Sequence, residues 1–298
     1  MIICLGEALV DLICERPVGS LAEADSFTPH FGGALANVAV AASRAGAEVG
    51  LAGAAGDDEW GRWLRDRLER EGVDLHFFDL IAGEQTPIAF ASFDSEREPS
   101  FQIYGDAVEI AVASVAPRLD AAIDAATALV YSSTTLATAG EREVTVRARE
   151  LSLERGAHVC FDPNIRPNRW GGDPGAAARA SRELIEGSAV VRTNREEAIA
   201  IAGAEDPCEA AAELVALGAE LAVVTLGAEG AVIRGACEAE APATEVEVVS
   251  TLGAGDAFMG TLVAELARRD WDLARAGEAL GPALDAAAEA CSRWAALD

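Results

Sequence analysis

The sequence predicts an α/β protein. Short apolar strands alternate with helical stretches along most of its 298 residues, and the strands are followed by glycine-rich or polar clusters. Hydrophobic residues make up 51% of the chain, enough for a large core and too much for general disorder. No internal repeat, linker or low-complexity stretch divides it, so a single domain over 1–298 is expected.

Residues 1–5 are apolar throughout and read as a strand buried on both faces, broken by Gly6-Glu7. Residues 10–14 resume an extended pattern with Asp11 inside. An aspartate is disfavoured in a strand unless it points at something polar, although a solvent-facing position would also suit it. Gly32-Gly33 then allows close backbone approach, and residues 34–45 have helical periodicity with small side chains. Asn37 falls early in that helix, a poor place for its amide without a partner. Residues 50–55 form a strand, and Gly56-Asp57-Asp58 turns and caps into an amphipathic helix running to about Glu71.

The rhythm changes between Thr86 and Tyr104. Residues 87–93 and 100–104 look like two strands joined by the charged turn 94–98, with no helix between them. With the extended segment 11–16 they make a small sheet apart from the main layer, suited to a lid or a homodimer surface. Strands at 129–132 and 158–161 flank a helix over 141–154. The second ends in Asp162-Pro163-Asn164-Ile165-Arg166, where open parallel sheets bind ligands. Strands at 189–191 and 221–224 end in Thr193-Asn194 and Thr225-Leu226-Gly227. A strand ending at Val248-Val249 precedes the last glycine turn, and an alanine-rich helix covers 279–296.

Gly253-Ala254-Gly255 is nearly free of side chains and opens a helix. Free N–H groups and the helix dipole make such a turn a candidate anion site. Asp256 stands beside it. A carboxylate there repels a phosphate unless it has other work, and the obvious work is taking a proton from a hydroxyl that attacks phosphorus. Taken alone, the turn fits equally an aspartate that only complements the dipole.

Composition narrows the partners. The net charge is −27 and the chain has no lysine, which argues against nucleic acid and anionic membranes as partners. It also removes a Walker lysine and a Schiff-base lysine. A nucleotide would be held by backbone amides, a metal ion and a few arginines. No apolar run approaches the ~18 residues of a membrane span. The stretch 1–7 has no basic region and carries Glu7, so no signal peptide is expected and the protein reads as cytoplasmic. The six cysteines form no Cys-x-x-Cys and read as free thiols. His30, His76 and His158 are isolated, without metal-ligand spacing.

Together these motifs resemble the ribokinase-like (PfkB-type) carbohydrate kinase family over essentially the whole chain. Gly32-Gly33 with Asn37 and Gly56-Asp57-Asp58 are similar to one family signature, and 250–256 to the other. Asp162-Pro163-Asn164 with Arg166, Asn194 with Glu197, and Thr225 with Gly227 lie between them in the family's order. Gly6-Glu7-Ala8 and Asp162-Pro163-Asn164 resemble the fructokinase and 2-keto-3-deoxygluconate kinase branch. The resemblance implies a three-layer α/β/α fold with a central, mostly parallel sheet and a β lid built from roughly 11–30 and 86–106. It implies phosphorylation of a sugar hydroxyl by ATP with Mg²⁺. By position, Asp256 resembles the base, and the amides of Gly253, Ala254 and Gly255 the anion hole. Asp11, Gly32, Gly33, Asn37, Tyr104 and Arg166 would hold the sugar. Asn194, Thr225, Gly227 and Thr251 would meet the nucleotide, and Asn194 and Glu197 would organise Mg²⁺ through water.

Three positions depart from the pattern. Ser250 replaces an aspartate that often helps bind a monovalent cation, which puts potassium activation in doubt. Gly105 follows Tyr104 where the branch usually has arginine, and Asp285 stands where asparagine is common. The lost arginine and the net charge of −27 favour a neutral sugar over a sugar acid. Two other classes fit the sequence less well. A non-catalytic nucleotide or sugar sensor has no need of Asp256. A dinucleotide-dependent oxidoreductase needs the Gly-x-Gly-x-x-Gly that is missing after the first strand.

Overall fold

The structure, a computed structural model, describes residues 1–94, 99–104 and 107–296. Its strands are β1 (Ile2–Leu5), β2 (Leu9–Pro17), β3 (Thr28–Gly32), β4 (Val49–Gly56), β5 (Phe78–Ile81), β6 (Ile88–Phe93), β7 (Pro99–Tyr104), β8 (Ala128–Ser132), β9 (His158–Asp162), β10 (Val190–Asn194), β11 (Leu221–Thr225), β12 (Ala231–Gly235) and β13 (Ala239–Ala241). Its helices are α1 (Ala34–Arg44), α2 (Glu59–Arg70), α3 (Ala107–Ala113), α4 (Leu119–Asp124), α5 (Ala139–Glu154), α6 (Pro174–Arg182), α7 (Arg195–Ala202), α8 (Pro207–Ala216), α9 (Ala254–Ala267) and α10 (Leu280–Cys291). No helix among the described residues is long and apolar enough to cross a membrane.

The main sheet has nine strands in the order β13-β12-β11-β10-β9-β8-β1-β4-β5, parallel except for β12 and β13 at one edge. Its inner strands are buried on both faces, and the period-2 alternation sorts their side chains into two cores. Ile2, Cys4, Val130, Cys160, Val190 and Val223 meet α1, α2, α9 and α10 on one side. Ile3, Leu5, Leu129, Phe161, Val191 and Val224 meet α4, α5, α7 and α8 on the other. This is the three-layer arrangement the resemblance implies.

The small sheet has the order β3-β2-β6-β7. Only its central pair, β2 with β6, is parallel. Ile13, Ala91 and Phe93 on its inner face pack against Leu252 and Ala295 of the body. The glycine and acidic turn 56–58 is a structural joint here. Asp58 caps α2 through the Gly61 N–H at 2.8 Å and accepts Thr86 Oγ1 at 2.7 Å, tying the start of β6 to the main sheet.

Some expectations fail. Residues 242–250 form no strand: Val248 is 45% exposed, and the Val249 N–H donates to the Cys291 carbonyl of α10. The alternating Glu-Val-Glu-Val pattern there reflects an exposed segment lying over a helix rather than a ladder. The last helix stops at Cys291, short of 296. Strands β5, β12 and β13 were not anticipated, being four, five and three residues long. The turn at 95–98 and Gly105 lie outside the described residues.

Helices α1 and α9 cross closely because Gly260 leaves room. A Cβ at Gly260 would meet the Val38 carbonyl oxygen and lie 2.6 Å from Ala41 Cβ. Gly260→Val is expected to lose ~1–3 kcal/mol of stability by overpacking. Thermal and denaturant unfolding measure it; an unchanged midpoint would show that the crossing relaxes freely.

Candidate active site

The centre of the site is the first turn of α9. Gly253 has a left-handed backbone (φ 76°), and a Cβ there would lie 2.8 Å from Ala296 Cα, so glycine is required. The Ala254 N–H turns back to the Thr251 carbonyl at 3.3 Å, whereas those of Gly253, Gly255 and Asp256 make no backbone bond. Among the described residues these N–H groups have no backbone acceptor, the arrangement that suits an anion at a helix start.

Asp256 is 5% exposed and clamped from two sides. Asn37 Nδ2, from α1, donates to Oδ2 at 2.9 Å, and Asn164 Nδ2, just past β9, donates to Oδ1 at 3.0 Å. Among the described residues neither asparagine Oδ1, both buried, has a partner. Asn164 holds a left-handed backbone (φ 43°), an uncommon state for a residue other than glycine. Burial pushes the Asp256 carboxyl above the usual range. The amides of Asn37 and Asn164 and the charges of Arg166 and Arg192 oppose that shift.

Asp11 faces the same cleft from β2, opposite His30 of β3. Burial, followed by the charge of Asp256, pushes its pKa up to about 7, with Arg166 and His30 pulling it back. Gly32 must lack a side chain because a Cβ would run into the Asp11 carboxylate. Gly33 must lack one because its φ is 102° and a Cβ would lie 2.5 Å from the Glu7 carbonyl. The Arg166 guanidinium sits 5.3 Å from the Phe101 ring of β7, which brings the small sheet against the body. The Tyr104 side chain lies outside the described residues, though its backbone pairs with Ile88.

Glu7 belongs to this cluster and was not anticipated as a site residue. It is 3% exposed, its Oε2 has no partner, and burial raises its pKa to about 7 against the pull of Arg169. Asn164 lay within a quoted motif without a role. Arg192 was missed as well, although a charged residue inside the apolar run Val190-Val191-Arg192 was a usable signal.

On the nucleotide side, β9, β10 and β11 end side by side. Arg192 Nη1 donates to Asp162 Oδ2 at 3.1 Å and Nη2 to Thr225 Oγ1 at 2.8 Å. Gly227 has φ 58°, and a Cβ there would meet nothing within 4 Å, so it borders open space. Asn194 and Glu197 form a capping box on α7, and Glu197 Oε1 also accepts the Ile165 N–H at 2.7 Å. That box is a structural reason for the pair, and it leaves each carboxylate oxygen one further lone pair. Ser250 is fully buried, and its Oγ takes the Leu252 N–H at 3.0 Å. Among the described residues no group of three or more His, Cys, Asp or Glu could hold a metal ion.

A buried carboxylate beside a helix start with open N–H groups, with polar atoms on one flank and strand ends on the other, is an arrangement suited to phosphoryl transfer on a doubly wound sheet. The chain belongs to the pfkB family of carbohydrate kinases, whose model matches residues 1–293. It is 32% identical to aminoimidazole riboside kinase of Salmonella typhimurium over 94% of this chain and 85% of that one. It is 34% identical to a fructokinase of Klebsiella pneumoniae over 88% and 83%. A fructokinase from Vibrio cholerae, solved with fructose, ADP and calcium ion, superposes with a TM-score of 0.85 at 28% identity, covering 99% and 94%. The protein is an ATP-dependent sugar kinase.

Removing one clamp isolates its effect on Asp256. The Asn164 amide favours the ionised carboxylate, so Asn164→Ala raises the Asp256 pKa further. The acid limb of kcat against pH is expected to move to higher pH, with the rate partly recovered under alkaline conditions. An unmoved limb with a uniformly lower rate would assign Asn164 to substrate contact alone.

Proposed function

We propose that the protein transfers the γ-phosphoryl group of ATP to a hydroxyl of a neutral ketose, fructose or a close analogue. The observation carrying this is the unpartnered, acceptor-rich lining around Asp256. The Oδ1 atoms of Asn37 and Asn164 and one oxygen of Glu7 are buried without donors, and Asp11 stands beside them. Sugar hydroxyls supply donors for such atoms, and a buried acceptor left without one is costly. A sugar acid would bring another carboxylate to Asp11, Glu7 and Asp256, with Arg166 as its available counter-ion.

In this reading Asp256 accepts the proton of the attacking hydroxyl. The amides of Gly253 and Gly255 hold the charge that develops on the transferred group. Asn37 and Asn164 aim the carboxylate, while Asp11 and Gly33 set the sugar. Thr225, Gly227 and Thr251 border the nucleotide. Among the described residues no carboxylate cluster would ligate a magnesium ion directly, so the protein would hold one through water. Asn194 and Glu197 would accept hydrogen bonds from that water, and the ion would neutralise phosphate charge. Ser250 offers one neutral oxygen already bonded to the Leu252 N–H, a weak basis for a potassium site.

Two measurements test this. Asp256→Asn is expected to lower kcat by ~10²–10⁴ while ATP still binds; near-normal turnover would remove Asp256 from proton transfer. Comparison of kcat/KM among fructose, 2-keto-3-deoxygluconate and aminoimidazole riboside is expected to favour fructose. A preference for the acid would make Arg166 its anchor, and a preference for the riboside would move the reading toward nucleosides.

A further inference from the structure

Arg192 is the charged group least explained by the roles assigned so far. It lies in β10, between β9 and β11 at the middle of the main sheet, with its side chain 9% exposed. A buried guanidinium is costly unless its charge and donors are used. Asp162 and Thr225 account for part of the five N–H donors, and Nε is buried with no partner. Burial works against its charge, yet Asp162, Glu197 and Asp256 hold it strongly protonated. The head group lies against the anion cradle. A Cβ on Gly255 would be 2.6 Å from Nη1, 2.8 Å from Nη2 and 3.0 Å from Cζ. The absence of a side chain at Gly255 therefore makes room for this guanidinium as well as for a phosphate.

We infer that Arg192 is the phosphate-side cation of the site, donating from its unspent N–H groups to the phosphate oxygens of the nucleotide at the first turn of α9. Asp162 is its positioning residue: the carboxylate and Thr225 fix the fork so that it does not swing into the acidic cleft. In a chain without lysine this places one permanent charge beside the transferred group. Arg166 is set against Phe101 on the opposite, small-sheet side and serves the sugar flank.

The inference rests on the kinase reading only in taking the α9 turn as the phosphate site, and the test separates the two. Affinities for ATP and for adenosine, both with Mg²⁺, are measured by calorimetry on the wild type, on Arg192→Gln, and on Arg192→Gln combined with Asp162→Asn. The double variant also removes the charge of Asp162, the carboxylate paired directly with Arg192, so it stays informative if the single one does not fold. Loss of a charge-assisted contact is expected to weaken ATP by ~10–100-fold, with adenosine unchanged. Equal loss for both ligands, or no loss for ATP, would overturn the role of Arg192 and leave it a structural partner of Asp162. A wild type that binds ATP no better than adenosine would instead remove the phosphate site from the α9 turn.

Discussion

The carboxylate of Asp256 is held by amides that come from residues 219 and 92 positions away in the chain. That clamp requires two packing facts at once. Helices α1 and α9 must cross closely enough for Asn37 to reach, which Gly260 permits. The chain leaving β9 must turn back through a left-handed asparagine, so that Asn164 faces α9 rather than solvent. Each arrangement belongs to a different part of the fold, so the site exists only when the main sheet is assembled.

The electrostatics follow from the same crowding. Glu7, Asp11, Asp162 and Asp256 are all buried near one cleft, and burial raises the pKa of each. Like charges add to the shift, since Asp256 raises both Glu7 and Asp11. Arginines oppose it from three directions: Arg169 acts on Glu7, Arg166 on Asp11 and Asp256, and Arg192 on Asp162 and Asp256. Arginine suits this better than lysine because it keeps its proton when buried and bonds to several acceptors at once. The cleft is therefore acceptor-rich around Asp11, Asn37 and Asn164 and cationic around Arg192.

Much of this was legible in the sequence because it rests on local rules. The alternation of strand and helix, the glycine turns at 32–33 and 253–255, and the polar strand ends all follow from backbone geometry and period. Asp11 inside a strand and Asn37 inside a helix stood out as residues against their local preference, and both prove to be buried in the cleft. What was not legible depends on contacts between distant segments. Val246 and Val248 alternate with acidic residues as a strand would, yet the segment lies over α10. Asn194 and Glu197 were matched through resemblance, while their capping box was also available from spacing. Arg192 carried only its presence in an apolar run, and its place under Gly255 is a tertiary fact.

The raised pKa of Asp256 bears on why a buried carboxylate is suited to this chemistry. A base near the usual carboxylate range is almost fully ionised at neutral pH but takes a hydroxyl proton poorly. A raised pKa makes a carboxylate a stronger proton acceptor when it is ionised. Burial is the largest cause and acts upward. The amides of Asn37 and Asn164 and the charges of Arg166 and Arg192 limit it from the other side. The same four residues that surround the carboxylate therefore also set how basic it is. Any change that loosens one of them acts on geometry and proton affinity together.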